Sequence, residues 1–442
     1  MSDWFLGTHA DADSVKAGLD LEMPSGVNFR RLPAAVENGS LDEATLDAAL
    51  RRLLRAQLCY GLDARTPAVD DTRRETPEHL SLAREVARRG MVLLRNEAVA
   101  GAPALPLDPV AVRRLVVLGR NADVESIGDV GSSRVMPSAV VTALEGLRER
   151  LGAGATVTHL PGTLLDAAGE AAVREADAAV VVTGMTSDDE GESDIGAGDR
   201  ASLDLRAEEV ALIRAVAGLQ ARTIVVLEGG AAITSAAWDA AVPALLFAFY
   251  PGSEGGHALA EVLFGDHAPS GRLPFSVPVA EGDLPPFDNV SASVGYGYLH
   301  GYRHLDGAGV PAHYPFGFGL SYTRFEHADL QLARDVVGPD GVIEATLRVT
   351  NAGAMAGIET LQLYVAARGG AVERAPQDLR AFAQVALAPG ERREVALSFP
   401  AADLSIWDVD AGRFRVEPIE YELRVGAHSA DPRQVATVRV TP

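Results

Sequence analysis

The sequence predicts an α/β protein in three parts: an amino-terminal region closed by a leucine-rich helix, an α/β sandwich on a mostly parallel sheet, and a small antiparallel β-sandwich. Three observations predict it. Between about residues 91 and 264, short continuous apolar runs alternate with amphipathic stretches, which is the pattern of strands covered on both faces by helices. From about Phe325 onward, apolar and polar residues alternate at short spacing between Gly-, Pro- and Asp-containing turns, as in half-buried antiparallel strands. Ahead of both, leucines recur at helical spacing over residues 40–62, and a polar, Pro-bearing stretch at 66–77 follows. The parts are therefore bounded at 1–65, 66–324 and 325–442.

Taken in order, residues 17–24 (A-G-L-D-L-E-M-P) read as a short buried strand ended by Pro24. Residues 40–62 read as a helix, with Ser40 and Glu43 as its capping box, Leu46, Leu50, Leu53, Leu54 and Leu58 on its apolar face, and Gly61 as its stop. A helix at 79–89 leads to a strand at 91–96 and a further apolar element at 104–107. Strands at 115–119, 178–184, 223–227 and 244–248 then alternate with helices at 141–151, 207–219 and 256–264. Ligands of such sheets sit at the carboxyl ends of strands, which directs attention to the residues after Thr183. In the last part, strands at 343–349, 360–366, 384–387, 394–399 and 421–425 read as a sandwich of the fibronectin type III kind. Trp238 and Trp407 read as core residues.

The 442 residues carry a net charge of −22, spread along the chain. Binding phosphates needs clustered Lys and Arg, so nucleic acid and anionic membrane are not expected partners. A solvated acidic surface accounts for the charge without functional meaning. The single cysteine, Cys59, permits no internal disulfide and reads as a small buried hydrophobe. No signal-peptide pattern opens the chain and no apolar run is long enough to span a bilayer, so a cytoplasmic location is expected. There is no Cys/His cluster at zinc spacing, no phosphate-binding loop and no G-x-S-x-G elbow. Neither a metal nor a cofactor is expected.

One loop is chemically dense. Ser187-Asp188-Asp189-Glu190-Gly191-Glu192-Ser193-Asp194 follows the apolar run at 178–183, and Asp199-Arg200 and Leu203-Asp204-Leu205 come after it. Neighbouring carboxylates disfavour each other's ionisation, which suits a general acid. A solvated turn, or a Ca²⁺ site made from Asp188, Asp189, Glu190 and Asp194, reads from the same residues.

Together with this loop, Ser2-Asp3-Trp4 and residues 17–24, 90–96, 131–135, 250–256, 269–274 and 314–323 resemble segments of glycoside hydrolase family 3, the β-glucosidase-like enzymes. Ser2-Asp3-Trp4 with Thr8-His9, and then residues 17–24, look like the end of that family's catalytic (β/α) barrel. Residues 90–96 with Leu105-Pro106-Leu107, the loop Gly131-Ser132-Ser133-Arg134-Val135, Tyr250-Pro251-Gly252-Ser253-Glu254-Gly255-Gly256, Pro269-Ser270-Gly271-Arg272-Leu273-Pro274 and residues 314–323 resemble further family elements. The resemblance implies that Asp3 is the catalytic nucleophile and that the general acid is Glu192, with Glu190 as the alternative. It places Trp4, Ser133, Arg134, Asp199 and Arg200 near the sugar, and it makes residues 1–65 the end of a TIM-type barrel and a linker helix. The reaction it implies is retaining hydrolysis of β-linked glucosides or related glycosides, without a cofactor. Only two residues precede Asp3, so activity is expected to need the rest of the barrel, and the expected partners are a separate barrel-bearing chain or a homodimer partner. A truncated, non-catalytic binding or scaffold module is the alternative.

Overall fold

A computed structural model describes residues 1–4, 7–62, 70–128, 131, 133–190, 200–286, 288 and 291–442. The chain divides into two compact units, Met1–Arg74 and Glu75–Pro442.

In the first unit the strand expected at 17–24 is reduced to a parallel bridge between Trp4 and Met23. Beside it, Ser2 N–H donates to Leu21 O at 2.9 Å, and Met23 N–H donates to Ser2 Oγ at 2.9 Å. Two short helices, Ala12–Lys16 and Leu32–Glu37, pack with α1 (Glu43–Cys59) around a small core that includes Val15, Leu32, Leu41 and Ala49. The cap of α1 is Asp42 rather than Ser40. Asp42 has extended backbone and its Oδ1 accepts from Thr45 N–H at 2.8 Å, while the Ser40 hydroxyl donates to Ala35 O at 3.2 Å. Of the residues on α1 only Ala49 is buried. Leu50, Leu54 and Leu58 are 46%, 51% and 61% exposed, and Cys59 is exposed rather than buried.

The second unit is built on a six-stranded sheet: β1 (Val92–Asn96), β2 (Arg114–Leu118), β3 (Thr156–Leu160), β4 (Ala178–Gly184), β5 (Thr223–Glu228) and β6 (Ala244–Phe249). Their order across the sheet is β1-β6-β5-β4-β2-β3. Every pairing is parallel except that of β1 with β6. Helices α2 (Pro77–Gly90), α3 (Ala143–Leu151), α4 (Ala167–Glu175), α5 (Ala207–Leu219) and α6 (Gly255–Leu263) accompany it. Successive strand residues point to opposite faces, so two cores form. Val180, Val182 and Val226 join Leu144 and Leu147 of α3 and Leu259 of α6 on one side. Val181, Val225 and Leu227 join Leu212, Ile213 and Val216 of α5 on the other. Each such side chain contributes about 1.5–3 kcal/mol on burial. Gly146 and Gly256 let α3 and α6 touch, since a Cβ on Gly146 would lie 2.0 Å from Gly256 O.

The remaining strands are β7 (Phe325–Leu332), β8 (Val342–Asn351), β9 (Gly357–Arg368), β10 (Asp378–Leu387), β11 (Arg392–Pro400), β12 (Glu420–Gly426) and β13 (Pro432–Val440). They form a three-stranded sheet, β11-β8-β7, and a larger one in which β13, β12, β9 and β10 follow the short strand Val336–Val337. Ile343, Ala345, Leu347 and Val349 of β8 face Leu361, Leu363, Leu423 and Val425 in one core. The two parts of this unit are joined by charge as well as by packing. Glu359 on β9 accepts from Arg272 Nη2 at 2.9 Å, and its other oxygen lies 2.9 Å from His327 Nε2. Trp238 is buried, but Trp407 is 53% exposed. It lies on the hairpin Ile406–Asp408/Arg413–Arg415, where its ring meets that of Phe414 at 5.1 Å between centroids. No helix among the described residues is long and apolar enough to cross a membrane.

Candidate active site

In the second unit, the candidate residues sit at the carboxyl ends of β4 and β5. Leaving β2, the chain turns at Gly119, whose φ is +99° and where a Cβ would lie 2.1 Å from Val182 O. Only glycine fits there, and the turn carries Arg120 and Asn121 over the end of β4. Gly184 ends β4 under the same constraint, with φ +128° and a Cβ position 2.0 Å from Glu228 O. The acidic segment follows as a single helical turn, Ser187–Glu190.

Glu190 is held on both oxygens from three directions. Oε2 pairs with Arg200 Nε at 3.1 Å. Oε1 accepts from the Tyr250 hydroxyl at 2.6 Å and from the Gly230 N–H. The two side chains of the Glu190–Arg200 pair are 11% and 9% exposed, so water competes little with these bonds. Arg200 also donates to Ala232 O at 2.9 Å, which ties the pair to the loop after β5. Burial first, and then the Glu190 carboxylate, push the Tyr250 hydroxyl well above its ordinary range, so it serves as a donor.

Asp189 is held separately. Its carboxylate accepts from Arg120 Nη1 at 2.7 Å, from Thr186 N–H at 2.8 Å and from Arg206. Behind it, Glu209 on α5 accepts from the Thr183 hydroxyl at 2.7 Å, and burial pushes its carboxyl upward. Of the three described acids in the Ca²⁺ set, Asp189 and Glu190 are thus engaged by guanidinium groups and Asp188 is exposed. Among the described residues no group of three His, Cys, Asp or Glu could hold a metal ion.

Glu192 and Asp199 lie outside the described residues. Ser133 and Arg134 are exposed, in a turn where Arg134 N–H donates to Gly131 O at 3.1 Å.

In the first unit, Asp3 and Trp4 are both exposed, Trp4 by 60%. Asp3 Oδ1 accepts from the Trp4 N–H at 2.7 Å. Gly7 folds back against Asp3, since a Cβ there would lie 2.7 Å from Asp3 O and 2.9 Å from Asp3 Cβ. Nearby, Glu22 is 7% exposed and accepts from Asn28 N–H at 3.0 Å, Asn28 Nδ2 at 2.8 Å and Phe29 N–H at 2.7 Å. Burial pushes that carboxyl up, but the donors outweigh it and hold it below the usual carboxylate range.

Sequence reasoning singled out Glu190 and Arg200 but missed the groups that hold them. Tyr250 stands in the Gly- and Pro-rich motif at 250–256, to which no site role is assigned from the sequence. Gly229-Gly230 directly follow an apolar strand, and the rule that ligands gather after strand ends would have found them.

The profile of the glycosyl hydrolase family 3 C-terminal domain matches residues 91–322, and that of the fibronectin type III-like domain matches residues 359–429. Similar proteins include a beta-glucosidase of Rhizobium radiobacter (29% identical, covering 100% of this chain and 72% of the relative) and a probable beta-glucosidase L of Emericella nidulans (32%, 100% and 66%). An exo-alpha-(1->6)-L-arabinopyranosidase of Bifidobacterium longum is 32% identical, over 98% of this chain and 57% of its own length. Among solved structures, the GH3 beta-glucosidase of Bifidobacterium adolescentis superposes with a TM-score of 0.86 at 30% identity, over 100% of this chain and 64% of that one. Beta-glucosidase 3B of Thermotoga neapolitana, in complex with glycerol, gives 0.86 at 29%, over 100% and 66%. The chain thus spans between 57% and 72% of the relatives' lengths, and it belongs to glycosyl hydrolase family 3.

Proposed function

We propose that this chain carries both catalytic carboxyl groups of a retaining glycoside hydrolase acting on β-linked glucosides or related glycosides. The observation that carries the reading is the acidic turn at the carboxyl edge of β4, held by Arg200, Gly230 and Tyr250. Asp3 attacks the anomeric carbon while a glutamic acid of the segment after β4 protonates the leaving oxygen. The same glutamate then takes a proton from water, which displaces Asp3 and releases the sugar. Glu190 accepts on both oxygens from three donors, which suits a fixed acceptor and supports assigning the transferred proton to Glu192. Trp4, Ser133, Arg134, Asp199 and Arg200 are assigned to the sugar-binding surroundings. The names of the relatives, which include glucosidases and an arabinopyranosidase, support a pyranoside substrate class and leave the sugar open.

Efficient turnover requires the barrel strands that complete the relatives' length, whether upstream in one polypeptide or in a separate barrel-bearing chain, because misplacement by about 1 Å already costs about 10²-fold. By itself the chain is expected to hydrolyse aryl β-glucosides poorly or not at all.

The test is leaving-group dependence in a barrel-complete form. E192A should be slow on poor leaving groups, far less impaired on activated aryl glycosides, and rescued by azide, since a small anion needs no general base. D3A should show neither behaviour, because the covalent intermediate cannot form. The same behaviour in E190A with E192A near wild type would reverse the assignment. If neither substitution mattered, the acid would lie elsewhere and the loop would be only a solvated acidic turn.

A further inference from the structure

Glu228, the last residue of β5, stands directly beneath the loop that grips Glu190. Its backbone carbonyl accepts from Met185 N–H at 2.8 Å, and the chain continues through Gly229, whose N–H donates to Phe249 O at 3.2 Å, to Gly230, whose N–H donates to Glu190. The side chain turns inward and is 3% exposed with the rest of the residue. Its carboxyl accepts from Asn121 Nδ2 at 3.1 Å and from the Ser126 side chain. The same Asn121 Nδ2 donates to Met185 O at 3.2 Å. One amide therefore links the buried carboxyl to the backbone just ahead of the acidic turn.

Both partners of this carboxyl are neutral. The charged groups on the surrounding elements are engaged elsewhere: Arg120 with Asp189, Glu190 with Arg200, Glu209 with Arg206. Asp123 accepts from the Thr142 hydroxyl at 3.0 Å, Glu254 pairs with Arg84 and His257, and Glu125 is exposed. The void lined by Ser126, Thr142, Glu228 and Gly252 measures about 10 Å³, at the lower limit for one water. Among the described residues, an ionised Glu228 would thus be a buried charge with no cation beside it and no hydration shell, which is costly.

We propose that Glu228 is a positioning residue and a proton-controlled latch: as a neutral carboxylic acid it lets Gly229-Gly230 hold Glu190 and the acidic turn in place, and loss of its proton loosens both loops. The assignment of a catalytic consequence rests on reading the segment after β4 as the acid/base segment, whereas the latch itself does not. Burial pushes the carboxyl from the ordinary 4.5 up to about 7, with Asn121 and Ser126 pulling the other way. In a locally opened loop the carboxyl would return to its ordinary value. Closing therefore binds a proton between about 4.5 and about 7, and opening becomes easier across that window, by up to about tenfold per pH unit.

Amide hydrogen exchange on the full chain, corrected for the intrinsic pH dependence, reads this directly. Protection of residues 185–190 and 229–230 should fall as pH rises from about 4.5 to about 7 and then level off. In E228Q, which cannot ionise, it should stay flat. The same decline in E228Q, or no decline in wild type, would overturn the proposal. Should E228Q not fold, ¹³C-carboxyl labelling of wild type decides: one glutamate titrating near 7 in step with the exchange supports the latch, and every glutamate titrating at ordinary carboxylate values overturns it. Because neither readout needs turnover, an exchange result as expected alongside E190A and E192A variants that turn over like wild type would sink the acid/base reading and leave the latch standing.

Discussion

Glu228 and Glu359 are 3% and 2% exposed, and the molecule treats their protons in opposite ways. At the seam between sheet domain and sandwich, burial pushes the Glu359 carboxyl up, but His327 and Arg272 outweigh it and hold the group below the usual carboxylate range. At the carboxyl edge of β5 the same burial acts against only an amide and a hydroxyl, and it wins. The difference teaches that burial alone does not decide whether a carboxyl is charged. What decides is whether the tertiary structure supplies a cation to stand in for lost water. One glutamate is thereby a fixed joint, and the other is free to respond to pH.

The largest expected effect comes from removing the cation of the fixed joint. Arg272→Met leaves the Glu359 carboxylate with His327 and the charge of Arg433 and should cost about 3–5 kcal/mol, measured as a lower denaturation midpoint at unchanged slope. A cost below about 1 kcal/mol would mean that the seam is not held by this pair.

Next in size is the pH dependence at Glu228. Its folded-state value lies above the unfolded one, so its contribution is fully present below about 4.5 and is lost as pH rises to about 7. Across that window wild type should lose about 3 kcal/mol relative to E228Q, and parallel stability curves for the two proteins would break the comparison. Glu359 behaves in the other direction. Its carboxyl lies below the ordinary value, so its contribution is present above about 4.5 and is lost in acid.

A smaller effect is expected from Tyr250→Phe, which removes one donor from Glu190 while Arg200 and Gly230 remain. About 1–2 kcal/mol should be lost, with exchange protection falling first in residues 187–190. The smallest comes from Leu54→Ala on α1. Leu54 is 51% exposed and alanine is the better helix former, so stability should change by less than about 0.5 kcal/mol. A loss of several kcal/mol would show that this side chain is covered in solution.

That last contrast also separates what periodicity tells from what it does not. Residues 40–62 and 256–264 both carry apolar residues at helical spacing, and both were read as helices with a buried face. In α6, seven of the nine residues are buried, because the sheet and α3 lie against it. In α1 only Ala49 is buried: Leu46 packs at the edge of the small core, while Leu50, Leu54 and Leu58 are exposed. Similarly, β3 was missed because it is an edge strand beside β2 alone, and its half-buried T-V-T-H-L reads as neither a continuous nor an alternating apolar run. The capping box at Ser40 fitted the sequence rule, but the helix begins at Glu43, so the cap falls on Asp42, whose Oδ1 accepts from Thr45 N–H.

By itself the sequence determined the class and order of the elements, since strand and helix periods are written in which residues are apolar. The glycines at the strand ends belong to the same account, because positions such as Gly119 and Gly184 admit no Cβ. It also brought Glu190 and Arg200 into one short segment. Only the tertiary structure decided what those groups meet. Tyr250 and Gly230 lie 60 and 40 residues from Glu190 in the chain, and Asn121 lies 107 residues from Glu228. The physical reason is that a carboxyl's proton is set by the few atoms around it, and folding chooses those atoms from anywhere along the chain.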